Sequence, residues 1–239
     1  MAISYMDYAS PDAQFTFDLR NDVFFKKDDR NYINRLSIKD LNTLGNYSLL
    51  DIFLSTGNVV EPHIHQNASQ LVYCISGSAV VSLINPFSLK LMNFAIKPGQ
   101  VANVPQGWWH YEIATVDNTH LLAIFDAPIP EAIFGSDILR LTPASVWAHT
   151  YCLDEAQVKA TFAPLQATTY IGPSANCKKD QQVKVHSARA AASPIRQVQP
   201  QQADQAGRPF QGYGYPPYPV QAPARNPGQA YGPQGFGPR

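Results

Sequence analysis

The sequence has few cysteines, few charged residues and no long apolar run. Its three cysteines, Cys74, Cys152 and Cys177, follow neither a zinc-ligand spacing nor the even count of a disulfide framework. No segment approaches the roughly 18 consecutive apolar residues of a membrane-spanning helix, and the first residues contain no basic stretch followed by an apolar one. We therefore expect a cytoplasmic protein without a membrane partner.

Charged residues make up 15% of the chain and sum to a net charge of zero, but they are unevenly distributed. Residues 1–177 hold 10 Lys and Arg against 16 Asp and Glu, whereas residues 178–239 hold 8 against 2. The basic segment is suited to contact acidic surfaces, and a solvated linker is the alternative. Its positive charges are widely spaced and the rest of the chain has no basic patch, so we do not expect a nucleic-acid partner.

Composition also divides the chain into a domain and a tail. Residues 207–239 contain seven glycines and eight prolines, too many for a packed core. We predict one domain at residues 1–177, with a barrel at about 15–127 and a helical segment at about 128–172, and a disordered tail at 178–239. The tyrosines of this tail resemble those in low-complexity tails of structural and coat-type proteins, so a coat-type surface layer is an alternative location.

Short runs of β-branched and aromatic residues, separated by glycine, proline and asparagine turns, predict an all-β jelly roll. After Pro128 the pattern becomes helical, with short helices predicted at Ala144 to Tyr151 and after Asp154. The predicted strands are 15–19, 32–38, 48–55, 60–65, 70–76, 79–84, 90–96, 101–104, 110–115 and 120–125.

Three of the six histidines lie in two glycine-bracketed segments. His63 and His65 are two residues apart, so on a strand their side chains share a face. Pro105 and Gly107 predict a turn that delivers His110 to a later strand, where its ring can meet the other two inside the barrel. We predict a mononuclear metal site at these imidazoles. Packed, hydrogen-bonded core histidines are the alternative.

These two segments resemble the motifs of cupins of the germin and oxalate decarboxylase type, over roughly residues 15 to 172. The resemblance implies a jelly-roll barrel and a metal held by His63, His65, residue 70 and His110. The chain departs from the family pattern at two positions, with Gln70 in place of a glutamate ligand and Ala114 in place of an asparagine. A neutral amide oxygen binds hard divalent ions less strongly than a carboxylate, so Mn, Fe, Zn, Cu and Ni all remain candidates.

Strand alternation offers two replacement carboxylates. Glu61 has the parity of His63 and His65, and Glu112 has the parity of His110. Each is a candidate catalytic acid or base inside the barrel, and a position in water at the barrel rim is the alternative. One of Trp108 and Trp109, which have opposite parity, is expected to form a wall of the pocket.

The resemblance implies a metal-dependent oxidoreductase or decarboxylase acting on a small organic acid, although the missing glutamate counts against oxalate itself. The alternative is a non-catalytic storage, ligand-binding or coat-structural protein whose tail mediates assembly. An aromatic strip in the helical segment is consistent with a homo-oligomer, a dimer or higher, and packing on the chain's own barrel is the alternative. This strip contains Phe134, Trp147 and Phe162.

Overall fold

A computed structural model describes residues 6–174 and residue 177. Within this part of the chain, two antiparallel sheets have the strand orders β1-β2-β3-β10-β5-β8 and β11-β4-β9-β6-β7, and β12 also pairs with β4. The strands are β1 (Val23–Asp28), β2 (Asn31–Leu36), β3 (Ser48–Leu54), β4 (Val59–Ile64), β5 (Gln70–Ser76), β6 (Ala79–Asn85), β7 (Lys90–Ile96), β8 (Val101–Val104), β9 (His110–Ala114), β10 (Thr119–Phe125), β11 (Ile133–Phe134) and β12 (Ile171–Gly172). The helices are α1 (Gly135–Leu141), α2 (Ala144–Tyr151) and α3 (Glu155–Phe162).

The two sheets share one apolar core. Strand alternation places Val72 and Cys74 of β5 inside and leaves Leu71 and Tyr73 outside. Side chains from the other sheet, such as Leu83 of β6, belong to the same buried cluster. The jelly-roll fold predicted from the sequence is confirmed.

The first predicted strand is wrong. Residues 15–19 are not a strand, because Asp18 accepts a hydrogen bond from the main-chain N–H of Arg20 and caps a 3-10 turn at Leu19–Asn21. The first strand is instead β1. Its two lysines, Lys26 and Lys27, interrupt the apolar pattern by which a strand is recognised in the sequence. Among the described strands β1 is the outermost of its sheet, so its charges lie at the sheet edge, where they discourage pairing with other chains.

Two glycines of the motifs adopt backbone angles that favour glycine. Gly77 has φ +76°, and a Cβ there would lie 2.6 Å from Cα of Thr119. Gly107 has φ +78° in the turn before His110, and its N–H donates to the carbonyl of His65. This hydrogen bond connects the turn before His110 to the chain segment that carries His63 and His65.

Both short helices predicted after Pro128 are present, although β11 and β12 also lie within the segment predicted as helical. Helix α2 has the bounds expected from the sequence, and the Asp154 side chain caps α3 by accepting from the N–H of Gln157. Trp147 stacks on Tyr151 and meets Phe162 edge-on, so part of the aromatic strip packs within the helices. None of the described helices is long and apolar enough to cross a membrane. The predicted tail, residues 178–239, lies outside the described residues.

Candidate metal centre

The histidines come from two paired strands of one sheet. His63 lies on β4, His65 follows β4 directly, and His110 begins β9 with its Cα paired opposite that of His63. Their residues are 3%, 6% and 0% exposed, respectively. The structure thus brings together the three side chains that the two motifs predict.

The imidazoles converge on one point. One ring nitrogen from each lies within 4.8 Å of those of the other two, and Nε2 of His63 lies 3.1 Å from Nε2 of His65. Two nitrogens bound at right angles to one ion, with bonds of about 2.1 Å, would lie roughly 3 Å apart. The spacing of the first pair therefore fits two ligands of one metal ion.

Main-chain carbonyls fix the tautomer of each ring. Nδ1 of His63 lies 2.6 Å from the carbonyl oxygen of Glu61, Nδ1 of His65 lies 2.9 Å from that of Glu131, and Nδ1 of His110 lies 2.9 Å from that of Trp108. A carbonyl oxygen only accepts, so each Nδ1 carries the proton and donates. Each neutral ring then has its lone pair on Nε2. Histidines that bind metals are commonly held in this way, with one ring nitrogen donating to a carbonyl and the other facing the ion.

Burial keeps these rings neutral. It lowers the pKa of His63 well below its usual value, an effect strengthened by the neighbouring His110 and His65. Burial also lowers the pKa of His65, and it lowers that of His110 to about 4. Metal ligation requires deprotonated Nε2 atoms, so the cluster is competent to bind a metal at neutral pH.

Gln70 links the cluster to a buried carboxyl group. Its Oε1 lies 2.7 Å from Nε2 of His110, and its Nε2 lies 3.2 Å from Oε1 of Glu112. Glu112 is 0% exposed, its Oε2 has no hydrogen-bond partner among the described residues, and burial raises its pKa to about 8. Glu112 is therefore protonated at neutral pH in the metal-free protein, and its Oε1 lies 3.9 Å from Nε2 of His110.

The protonation states determine how the Gln70 amide bonds. His110 can donate to both the Trp108 carbonyl and Gln70 Oε1 only as an imidazolium, which burial disfavours. Exchanging the two ends of the amide satisfies both neighbours in their neutral forms. Protonated Glu112 then donates to the amide oxygen, and the amide N–H donates to Nε2 of His110. Gln70 can thus relay a hydrogen-bond change between Glu112 and the histidines.

Glu61 is buried but directed elsewhere. Its carboxylate accepts from the N–H and hydroxyl of Ser136 and from the N–H groups of Thr169 and Tyr170, at 2.9 to 3.0 Å. The strand register shifts between Val60 and His63, and this shift breaks the alternation on which the parity prediction relied. A catalytic role for Glu61 stays a prediction without support from these contacts, which fasten the helical segment to β4.

Among the described residues neither tryptophan ring stacks on the three histidines, so the expectation that one of them walls the metal pocket gains no support. Trp108 packs against the core and Phe87, whereas Trp109 lines a cavity beside α1. The rings that contact the histidines are Phe125, 4.7 Å from His65 between centroids, and Phe134, 5.4 Å from His63. No pattern in the sequence indicates that Phe125, Phe134 or the Glu131 carbonyl lies beside the histidines.

The chain is thus a jelly roll in which the two glycine-turn motifs bring together three imidazoles that could hold a metal ion. The family model for cupins matches residues 29–159, and the chain belongs to this family. Germin-like protein 1-2 of Oryza sativa subsp. japonica is 30% identical over 125 residues, which cover 50% of this chain and 55% of that protein. Nectarin-1 of Nicotiana plumbaginifolia is 30% identical over 139 residues, which cover 53% and 58%. The chain therefore spans little more than half the length of these relatives.

Solved structures share the fold at lower identity. A mutant of Bacillus subtilis oxalate decarboxylase superposes with a TM-score of 0.58 at 20% identity, over 69% of this chain and 44% of that one. Procruciferin, an 11S globulin from Brassica napus, superposes with a TM-score of 0.63 at 20% identity, over 71% and 45%. The oxalate decarboxylase has Mn(II) centres. At this identity the likeness establishes the fold alone.

Proposed function

We propose that the protein binds one divalent metal ion through Nε2 of His63, His65 and His110. The observation that carries this proposal is the shared tautomer, because three Nδ1–H groups are held by carbonyls and each Nε2 is left with a lone pair. Mn, Fe, Zn, Cu and Ni are the candidate ions. Imidazole suits Fe, Zn, Cu and Ni, and a nearby carboxylate favours Mn.

Glu112 compensates for the missing glutamate in this proposal. Gln70 occupies the position of the family ligand and offers only a neutral amide, but it bonds directly to the Glu112 carboxyl. A cation at the histidines would lower the pKa of Glu112 and favour its carboxylate. The site would then contain the negative charge that a hard ion prefers, although residue 70 itself is neutral.

We further propose a metal-dependent oxidoreductase or decarboxylase activity on a small organic acid. A bound divalent ion would supply a Lewis acid for the substrate carboxylate. Decarboxylation releases CO₂ and leaves a carbon that must take up a proton. The Gln70 amide connects Glu112 to the histidines, so the Glu112 carboxylate beside a bound ion is the candidate group to take the proton of the incoming acid and return it to that carbon.

A second candidate is a non-catalytic, self-assembling protein, and the outer face of the first sheet supports it. Leu71 on β5 pairs with Ile124 on β10, and Tyr73 on β5 pairs with Val101 on β8. All four side chains are exposed, and so is Ile75. A contiguous apolar face of this kind is typical of protein–protein contacts, so a homo-oligomer follows from this candidate.

Elemental analysis of the purified protein tests the metal site. We expect about one equivalent of metal in the wild type and in His149→Ala, whose histidine is exposed and outside the motifs. His63→Ala should lose the metal while keeping its circular dichroism spectrum. An absence of metal in the wild type after growth in supplemented medium would contradict the site and leave the non-catalytic candidate.

Activity is tested with the metal-loaded protein and a panel of small carboxylic acids that includes oxalate. Evolution of CO₂ that depends on the metal and is lost in Glu112→Gln supports the decarboxylase proposal. Metal binding without turnover of any acid, together with an oligomer that Tyr73→Lys dissociates in sedimentation velocity, would instead favour the assembly role.

A further inference from the structure

A cavity of about 360 Å³ lies between β1 and the segment that follows α3, and none of the three histidines lines it. On the β1 side it is lined by Phe25 and Lys27, and on the other side by residues 164–169, Ile171 and Ser174. Lys27 is the only charged side chain among these lining residues. The cavity therefore has one positive charge in a wall that is otherwise neutral.

The ammonium group of Lys27 has no carboxylate partner among the described residues. Its Nζ donates to Oδ1 of Asn58 at 2.5 Å, which uses one of its three N–H groups. The neighbouring Asp28 carboxylate accepts instead from the main-chain N–H of Arg30 and from the side chain of Asn31. Two donors of Lys27 are therefore left for a bound molecule or for water.

The preceding residue, Lys26, shows the contrast. Its Nζ lies 2.7 Å from Oδ1 of Asp29, and its side chain is 55% exposed. Burial lowers the pKa of Lys27, against the opposite effect of Asp28 and Cys177. A partly desolvated ammonium without a paired anion has lost hydration that nothing replaces, so an anion bound at Lys27 would offset this cost.

Much of the remaining cavity wall is apolar. The apolar side chains include those of Phe25, Pro164, Leu165 and Ile171. The ring of Tyr170 lies 5.0 Å from that of Phe25 between centroids, and this contact holds part of the wall in place. An inorganic anion would leave the apolar surface in contact with water, whereas an apolar group attached to the anion would cover it. One positive charge balances a monoanion and leaves a dianion with an excess negative charge.

We propose that this cavity binds an amphipathic monocarboxylate, with its carboxylate at Nζ of Lys27 and its apolar group against the rings and aliphatic side chains of the wall. Ligand pockets begin at about 300 Å³, so the volume suits a small organic molecule. The site requires no metal ion and shares no side chain with the histidine cluster, so its test does not depend on metal binding.

The probes 1-naphthoate and 1-naphthamide are matched, since they have nearly the same shape and only naphthoate is charged. Isothermal titration calorimetry of the full chain at neutral pH measures both, with a chelator present to keep metal ions away from the histidines. We expect naphthoate to bind about tenfold more tightly than naphthamide, as for a charge-assisted hydrogen bond at a partly exposed ammonium. This preference should disappear in Lys27→Gln and persist in Lys26→Gln. Retained binding of naphthamide shows that Lys27→Gln keeps its cavity.

Ala167→Trp fills the cavity and should abolish binding of both probes. Ala163→Trp is its control, because residue 163 is also exposed but does not line the cavity. An absence of naphthoate binding to the wild type, or a preference for naphthoate that persists in Lys27→Gln, overturns the proposal. Equal losses in Lys26→Gln and Lys27→Gln would show that naphthoate responds to the charge of β1 as a whole, and the proposed contact is then likewise wrong.

Discussion

The Glu112→Gln variant tests whether Glu112 is a buried, protonated carboxyl. The test compares how the free energy of unfolding depends on pH in the variant and in the wild type. Burial raises the folded-state pKa of Glu112 from its ordinary value of 4.5 to about 8. A group with a raised folded-state pKa stabilises the fold below its unfolded pKa, and this stabilisation is lost as pH rises through the folded value. The neutral glutamine has a similar shape and removes this titration.

The magnitude follows from the two pKa values. As pH rises, Glu112 loses its proton near its ordinary pKa of 4.5 in the unfolded chain but only near pH 8 in the folded chain. Between pH 5 and pH 9 this difference lowers the unfolding free energy of the wild type by roughly 4 kcal/mol. The stability of the wild type relative to Glu112→Gln should therefore fall by about this amount over that range. Other titrating groups are common to both proteins and cancel in the difference.

Urea denaturation of the two proteins at pH 5, 7 and 9, with a chelator present, measures this difference. The chelator is needed because a cation at the histidines would lower the pKa of Glu112. Glu155→Gln, at an exposed position, is the control and should follow the wild type at every pH. A wild-type to Glu112→Gln difference that stays constant across the range would refute the assignment of a protonated carboxyl to Glu112.

Three further predictions rest on contacts of the site, and a fourth rests on the composition of the tail. Gln70→Glu should raise Mn²⁺ affinity about tenfold or more in calorimetric titration, whereas the exposed Gln66→Glu should leave it unchanged. Glu61→Ala should cost about 3–5 kcal/mol in urea denaturation, because it leaves buried main-chain donors unpaired, and unchanged stability would refute the structural role. The metal-free protein should show His63 and His65 as Nδ1–H tautomers in ¹⁵N NMR spectra, and an Nε2–H form of either would contradict the metal-ready arrangement. Deleting residues 178–239 should leave the temperature of the thermal transition nearly unchanged. A large decrease in this temperature would contradict the predicted domain boundary at residue 177.

Turn residues made most of the fold predictable. β5, β7 and β8 begin and end where the sequence indicates, because glycine, proline or asparagine turns bound alternating runs. β1 was missed because an edge strand tolerates charges that resemble a loop in the sequence. The strand predicted at 15–19 is wrong because the Asp18 side chain caps a turn there.

Within the candidate site, the sequence predicts the side chains but not what orients them. The histidine spacing and the turn at Gly107 suffice to bring three rings together. The acceptor for His65 is a main-chain oxygen of Glu131, 66 residues away, and every residue type offers the same carbonyl. Parity placed Glu61 with the histidines, but one register shift turned its carboxylate to Ser136. Such shifts have no reliable sequence signature.

The tautomers distinguish a metal site from histidines that merely fill space. Two packed imidazoles at 3.1 Å would be stabilised by an N–H of one donating to the nitrogen of the other. Here both Nδ1 protons are committed to carbonyls, so the Nε2 atoms of His63 and His65 present lone pairs to each other and repel in the metal-free protein. A cation placed between them turns that repulsion into two bonds. The arrangement is therefore unfavourable as packing and favourable as ligation, and this asymmetry supports the metal hypothesis independently of the residue at position 70.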